Sequence, residues 1–116
     1  PIGLMMLAIL GNVQDDDDAR AIRHHLVGAL PGGSFLVLED GTAAVNPEAA
    51  AKAERTRAEA GDPYKLRTPE QIAGFFDGLE LLEPGVVSVS RWRPEAMPWG
   101  EPPMVTAFCG VGRKPA

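Results

Sequence analysis

The sequence has little cysteine: its 116 residues contain one, Cys109. A single cysteine excludes an internal disulfide framework and a multi-cysteine zinc site. Cys109 ends the apolar run Val105–Cys109. In such surroundings a small buried thiol is favoured over a reactive one.

Positive charge and long hydrophobic runs are also scarce. There are 11 basic against 16 acidic residues, a net charge of -5, which argues against a protein that binds nucleic acid by neutralising phosphates. The first apolar stretch, Ile2–Leu10, is too short to span a bilayer, and no basic segment precedes it as in a signal peptide. We therefore expect a cytoplasmic protein with no nucleic-acid or membrane partner.

What the sequence does have is apolar material for a core, 45% of its residues. One compact domain, or half of a larger one, fits this length. Two runs are continuously apolar: "GLMMLAIL" at Gly3–Leu10, and Phe35–Leu38 within "LPGGSFLVLED". Uninterrupted apolar runs of this length are typical of strands that are covered on both faces of a parallel sheet.

A helical pattern lies between the two runs, from Ala19 to Leu30, and the Pro-Gly-Gly turn stops it. Ile22, Leu26 and Leu30 recur at intervals of four, so we expect this side of the helix to face the sheet. The order strand, helix, strand predicts a βαβ unit over residues 1–41, with parallel strands and a right-handed crossover.

Four acids, Asp15–Asp18, stand at the start of this helix. They could suggest a metal site, but free N–H groups and the helix dipole stabilise acids here, and adjacent side chains diverge. Capping is therefore the favoured interpretation. His24 and His25 are consecutive and point about 100° apart, so they cannot chelate one ion together. We predict no metal site.

Residues 42–67 are predicted to hold a surface helix and a loop. Asn46-Pro47-Glu48 is a strong helix start. The following "AAAKAERTRAEAG" has no apolar side chain larger than alanine and can bury little area. We interpret it as a surface helix or a movable cover.

Residues 68–116 are predicted to form a helix and terminal antiparallel strands. The helix begins with a capping box of Thr68 and Gln71, and its apolar face holds Ile72, Phe75 and Phe76. Alternation predicts strands at Val86–Trp92 and Val105–Val111, with a short extended piece at Leu79–Leu82. Because no helix lies between the two strands, they should be antiparallel.

The segment Gly110-Val111-Gly112 could suggest a phosphate loop, but no helix follows it. Flexibility at the end of the chain is the favoured interpretation.

Ligands of open α/β sheets bind at the carboxyl ends of the parallel strands. Leu10, Gly11 and Asn12 follow the first predicted strand, and Asp40 follows the second. Gly11 would let a ligand approach the backbone, and Asn12 offers donors and acceptors. A plain turn at Gly11-Asn12 fits the spacing equally well.

The segment "LAILGNVQDDDDARAIRHHLVGALPGGSFLVLED" resembles the second half of a class I S-adenosylmethionine-dependent methyltransferase. The downstream "RTPEQIAGFFDGLELLEPGVVSVSRWRPE" and "FCGVGRKP" are similar to an actinobacterial branch of uncharacterised function. The resemblance implies an α/β fold, the carboxy-terminal half of a Rossmann-like sheet, and S-adenosylmethionine as cofactor. It implies that Leu10, Gly11 and Asn12 border the cofactor, and we place Asp40 and Tyr64 on the side of a small-molecule acceptor.

Two departures from that pattern matter. The branch usually carries a His-Phe pair where this chain has Gly11-Asn12. The glycine-rich loop and the acid that mainly hold the cofactor in class I enzymes have no counterpart here, so the first three strands would lie upstream of Pro1. We expect residues 1–116 to be the carboxy-terminal portion of one methyltransferase domain, and the first strand to pair with the missing half or with a second copy.

Two hypotheses about function follow. In the first, the full-length parent transfers a methyl group to an unknown small acceptor, and no residue of this chain can be named as its general base. In the second, the chain is a non-catalytic, degenerate methyltransferase fragment that acts as an association or regulatory module.

Overall fold

A mixed sheet of five strands organises the structure, a computed structural model that describes residues 1–96 and 98–116. The elements are β1 (Gly3–Leu7), α1 (Asp16–Gly28), β2 (Phe35–Gly41), α2 (Pro47–Glu59), α3 (Pro69–Gly74), β3 (Glu80–Leu81), β4 (Val87–Ser88) and β5 (Ala107–Arg113). Short 3-10 turns lie at Leu10–Asn12 and Val89–Arg91. None of the helices in the described ranges is long and apolar enough to cross a membrane.

The sheet has the strand order β1-β2-β5-β3, with β4 also paired to β5. β1 and β2 are parallel, with Met6 opposite Leu38, and α1 connects them. This confirms the predicted βαβ unit. β5 runs antiparallel to β2, and β3 and β4 run antiparallel to β5. The antiparallel ending that the sequence predicted is therefore confirmed.

The first strand is shorter than the apolar run predicts. β1 ends at Leu7, and Ala8 turns the chain out of the sheet with a left-handed φ of 56°. The next residues form the Leu10–Asn12 turn, where Leu10 is fully buried in the core. The prediction of a strand as far as Leu10 was therefore wrong, because a continuous apolar run cannot show where the backbone leaves the ladder.

The helix face predicted for α1 was also wrong. Ala19, Arg23 and Val27 face the core, whereas Ile22 and Leu26 are 39% and 38% exposed. Arg23 can lie on the inner face because its guanidinium donates to a backbone carbonyl in the turn after α3, at 2.6 Å. Periodicity counts apolar side chains and cannot anticipate a carbonyl supplied by a distant turn.

Asp15, the first of the acids at the start of α1, caps the helix, as the sequence favoured. The Asp15 carboxylate accepts from the backbone N–H groups of Asp17 and Asp18, at 2.8 and 3.1 Å. Within the described ranges, no group of three His, Cys, Asp or Glu residues could hold a metal ion.

The core lies on one face of the sheet, under α1 and α3. The capping box of Thr68 and Gln71 is present at the start of α3, as predicted. The side chains buried on this face include Met6, Leu36 and Leu38 of the sheet, and Ile72, Phe75 and Phe76 of the α3 region.

The opposite face of the sheet is open along β1. Met5 and Leu7 point to it and are 61% and 44% exposed. The molecule is accordingly a slab of 43 × 42 × 18 Å. The apolar run, which is typical of a strand covered on both faces, is covered on one face in this chain, because α1 and α3 pack on the same side.

The predicted strand at Val86–Trp92 is reduced to β4, and a 3-10 turn follows it. The buried residue of β4 is Ser88, whose hydroxyl bonds both the N–H and the C=O of Val105, at 2.8 and 3.1 Å. These bonds satisfy a polar side chain in an interior position.

Gly110 and Gly112 lie inside β5, so the predicted chain-end flexibility was wrong. A Cβ atom at Gly112 would stand 2.9 Å from the Phe76 ring, and one at Gly110 would stand 3.0 Å from it. The two glycines allow this ring to pack closely against the strand.

Candidate functional site

A cavity of about 440 Å³ lies at the carboxyl end of β2, beneath α2. Gly41 and Ala107 belong to its sheet side, Ala50 and Ala53 to its helix side, and Tyr64 closes one flank. Both the position and the size are typical of small-molecule sites in α/β folds.

The alanines of α2 create this space. Asn46 caps the helix by accepting from the N–H of Ala49, at 3.1 Å, and Ala50 is the buried residue of the helix. Because the residues that face the sheet end at Cβ, the helix can lie over β2 without filling the gap below it. The predicted surface helix is thus also the cover of the cavity.

Asp40 and Tyr64 meet beside the cavity. Asp40 is buried, and its Oδ1 atom accepts hydrogen bonds from the Tyr64 hydroxyl and from the N–H of Gly11, the latter at 3.1 Å. Burial raises the pKa of Asp40, although both hydrogen bonds act in the opposite direction. Burial and the bond to Asp40 together raise the pKa of Tyr64, so the phenol remains a protonated donor at neutral pH.

Gly11 is held tightly in this cluster. Its C=O accepts from the N–H of Lys65 at 2.6 Å, and a Cβ atom on Gly11 would lie 2.1 Å from the Tyr64 ring. The close approach that glycine permits at this position is therefore made by Tyr64. The structure brings Gly11, Asp40 and Tyr64 together, three of the five residues that the sequence singled out.

The remaining two candidates occupy different surroundings. The Leu10 side chain lies in the core. Asn12 is exposed, and its side-chain amide donates to the C=O of Ala8 at 3.1 Å. Asn12 is thus the member of the Leu10–Asn12 turn whose side chain is open to a ligand.

Arg67 is a residue that the sequence analysis missed. Its buried guanidinium donates to the C=O groups of Leu10 and Val13, both at 2.7 Å, and to the carboxylate of Asp16 at 2.9 Å. Hydrogen bonds from Lys65 and Arg67 lower the pKa of Asp16. No local pattern reveals this role, because all these partners are about fifty residues away along the chain.

Glu39 was also missed. It lines the cavity, on the opposite side of β2 from Asp40. Burial, with a smaller contribution from the charge of Asp40, raises the pKa of Glu39. A signal was available in the sequence: Glu39 and Asp40 are adjacent at the end of a strand, so one of them must point to each face.

A parallel βαβ unit with a cavity at its carboxyl edge, extended by antiparallel strands, defines part of a Rossmann-like methyltransferase sheet. Residues 1–115 match the model of a family described as S-adenosyl methyltransferase, and the chain belongs to this family.

Two solved structures are similar to the chain. A DUF574 family protein from Streptomyces avermitilis shares 38% identity over 99% of the chain, with a TM-score of 0.90. A candidate methyltransferase from Thermobifida fusca shares 31% identity over 100% of it, with a TM-score of 0.84. The chain spans 45% and 44% of the lengths of these two proteins. A comparison of the sequence with curated proteins found no match.

Proposed function

We propose that this chain forms the acceptor side of an S-adenosylmethionine-dependent methyltransferase that acts on a small nucleophile. The observation that carries the proposal is the cavity under α2, in a chain of this family, at the sheet edge where α/β folds bind ligands. Its alanine and glycine walls suit the apolar body of a small molecule.

This chain contributes only the edge of a cofactor-binding site. When bound, S-adenosylmethionine supplies an electrophilic methyl group on a positively charged sulfur. The backbone groups of Gly11 are already bonded within the protein, and so is the C=O of Leu10. Asn12 and the cavity edge at Ala8 are therefore the parts of this chain that fit it. We propose that its main contacts come from the part of the methyltransferase fold that this chain does not span.

Asp40 and Tyr64 have a positioning role in this proposal. Asp40 binds the Leu10–Asn12 turn through Gly11 and holds the Tyr64 hydroxyl. The Tyr64 ring then forms a fixed wall between that turn and the cavity. Methyl transfer depends on holding the acceptor in line with the methyl group and excluding water, and a rigid wall serves both needs.

The experiment is to follow transfer of labelled methyl groups from S-adenosylmethionine to small nucleophiles, with and without a filled cavity. Ala53→Phe places a ring in the cavity, so we expect the KM for the acceptor to rise at least about tenfold while cofactor binding is retained. Ala58→Phe is the matched control, because Ala58 is an exposed α2 residue that does not line the cavity.

A different experimental result would contradict the acceptor site, the activity and the position of the cofactor site. Unchanged kinetics in Ala53→Phe would show that the acceptor does not bind in the cavity. The absence of any methyl transfer would contradict the proposed activity. Micromolar binding of S-adenosylmethionine by the 116-residue chain alone would contradict a cofactor site that lies mostly outside it.

The second candidate function is the non-catalytic association module. The open apolar face around Met5 and Leu7 favours it, since a large uncovered apolar surface marks an interaction site. Association of the full-length parent protein, in the absence of any cofactor binding by that parent, would favour this alternative.

A further inference from the structure

The cavity contains one carboxylate that the protein leaves unused. Three charged residues line it: Glu39, Glu54 and Arg57. The Glu54 carboxylate accepts from the N–H of Leu66 at 3.3 Å. Arg57 is bonded to the carboxylate and the C=O of Asp62, at 2.7 and 3.1 Å. In residues 1–96 and 98–116, no hydrogen bond or ion pair reaches the Glu39 carboxylate.

The residues next to Glu39 in the sheet are weakly polar. Its neighbours across the sheet are Leu7 in β1 and Cys109 in β5. Neither offers the carboxylate a cation, and the half-buried setting reduces its contact with water. A charge in such a position interacts more strongly with a ligand than one in open solvent.

Most of the remaining wall is apolar, and Thr42, Thr106 and Tyr64 are the polar residues that also line it. Ala49, Ala50 and Ala53 form the helix side, and Gly41 and Ala107 part of the floor. A ligand of this cavity therefore needs an apolar body and one polar group that reaches Glu39. Two carboxylates at the wall, with Arg57 already bonded, disfavour an anion and favour a donor of N–H bonds.

We propose that Glu39 makes the cavity selective for an acceptor that carries an amine on a small apolar body. This inference deepens the proposed function and rests on it. Glu39 binds the N–H groups of the protonated amine and accepts one proton from it, which frees the nitrogen lone pair and leaves the product as the methylated ammonium. The nitrogen lone pair forms the new N–C bond, and the electron pair of the broken S–C bond stays on the sulfur of the donor. The proton then passes from Glu39 to water.

The methyl donor is a second ligand with the cationic chemistry that Glu39 would bind. S-Adenosylmethionine carries a sulfonium and an ammonium group, and either could be the cation that Glu39 contacts. The experiment therefore needs one arm for an amine and another for the methyl donor.

The probes are 2-phenylethylamine and 2-phenylethanol, which share an apolar body and differ in the amine. We expect the 116-residue chain to bind the amine about tenfold more tightly than the alcohol in calorimetric titrations at neutral pH. Glu39→Gln should abolish this preference, chiefly by weakening the binding of the amine. Glu59→Gln removes the same charge from an exposed α2 position and should preserve the preference.

Other outcomes overturn the inference. These are equal affinity for the two probes, no binding of either, or a preference that survives Glu39→Gln. Weakened binding of S-adenosylmethionine with unchanged binding of the amine would assign Glu39 to the methyl donor and also overturn it. Thermal unfolding of Glu39→Gln confirms that the variant is folded. If the amine preference holds but no methyl transfer occurs in the assay above, the proposed function fails and the cavity's selectivity stands.

Discussion

Gly11 and Asp40 hold the candidate site together at the scale of single residues. Gly11 leaves room for the Tyr64 ring, and Asp40 binds both the Gly11 N–H and the Tyr64 hydroxyl. Each contact joins segments that are far apart along the chain. The cluster therefore links the end of β1, the end of β2 and the segment after α2.

The packing at Gly11 gives the first prediction. Gly11→Ala inserts a methyl group where the Tyr64 ring lies, so we expect the free energy of unfolding to fall by about 1–3 kcal/mol. Gly28→Ala is the control, because a Cβ atom there meets nothing within 4 Å. Chemical denaturation measures both. Equal stability of Gly11→Ala and the wild type would show that the ring does not occupy this space in solution.

The raised pKa of Asp40 gives the second prediction. The folded state favours the protonated carboxyl more than the unfolded state does, where the pKa is about 3.9. This contribution to stability is complete below that value and is lost as the pH rises through the raised pKa. We expect the stability of the wild type relative to Asp40→Asn to fall as the pH increases above 4.

Urea unfolding of the two proteins between pH 4 and pH 7 checks this sign. Because Glu39 is present in both, its own titration largely cancels in the difference. A relative stability that rises with pH would mean that the bonds from Gly11 and Tyr64 outweigh the burial of the carboxyl.

At the scale of elements, the segment 60–67 connects α2 and α3 to the turn after β1. Arg67 makes this connection, because its guanidinium satisfies the carbonyls of Leu10 and Val13. Lys65 adds a backbone bond to Gly11 and an ion pair with Asp16. The loop that the sequence predicted here is therefore fixed to the site by specific bonds.

The third prediction concerns this connection. Arg67→Met leaves two buried carbonyls without their donors, so we expect a loss of about 3 kcal/mol in the free energy of unfolding. Arg55→Met is the matched control on the exposed side of α2 and should change stability by less than about 0.5 kcal/mol. If both variants lose the same small amount, the guanidinium does not hold the turn.

At the scale of the whole molecule, the sheet has one covered face and one open face. α1 and α3 lie on the covered side, and Met5 and Leu7 are exposed on the other. Both similar structures belong to chains more than twice as long as this one, because it spans 45% and 44% of them. We propose that the open face and the β1 edge are covered by the remainder of a methyltransferase sheet.

The fourth prediction follows from the open face. The 116-residue chain by itself should associate as its concentration increases, because an uncovered apolar sheet face and edge favour pairing. Met5→Gln with Leu7→Gln should shift the sedimentation profile toward the monomer. Val89→Gln, at a residue outside β1 that is about as exposed as Leu7, should not. A wild-type chain that stays monomeric at high micromolar concentration would contradict the expectation.

The sequence by itself determined the order of the elements and the local signals that begin the helices. The apolar runs gave β1 and β2, the caps at Asn46 and Thr68 gave α2 and α3, and the Pro-Gly-Gly turn gave the entry to β2. These features depend on neighbours within a few residues, so a single sequence contains them.

Only the tertiary structure decided which side chains meet. Tyr64 and Asp40 are 24 residues apart, and Arg67 and Leu10 are 57 apart. The inner face of α1 and the end of β1 depend likewise on partners supplied by distant turns and strands. Local periodicity reports how apolar a segment is, whereas burial of a charged or polar group depends on a partner that only the folded chain brings within hydrogen-bond distance.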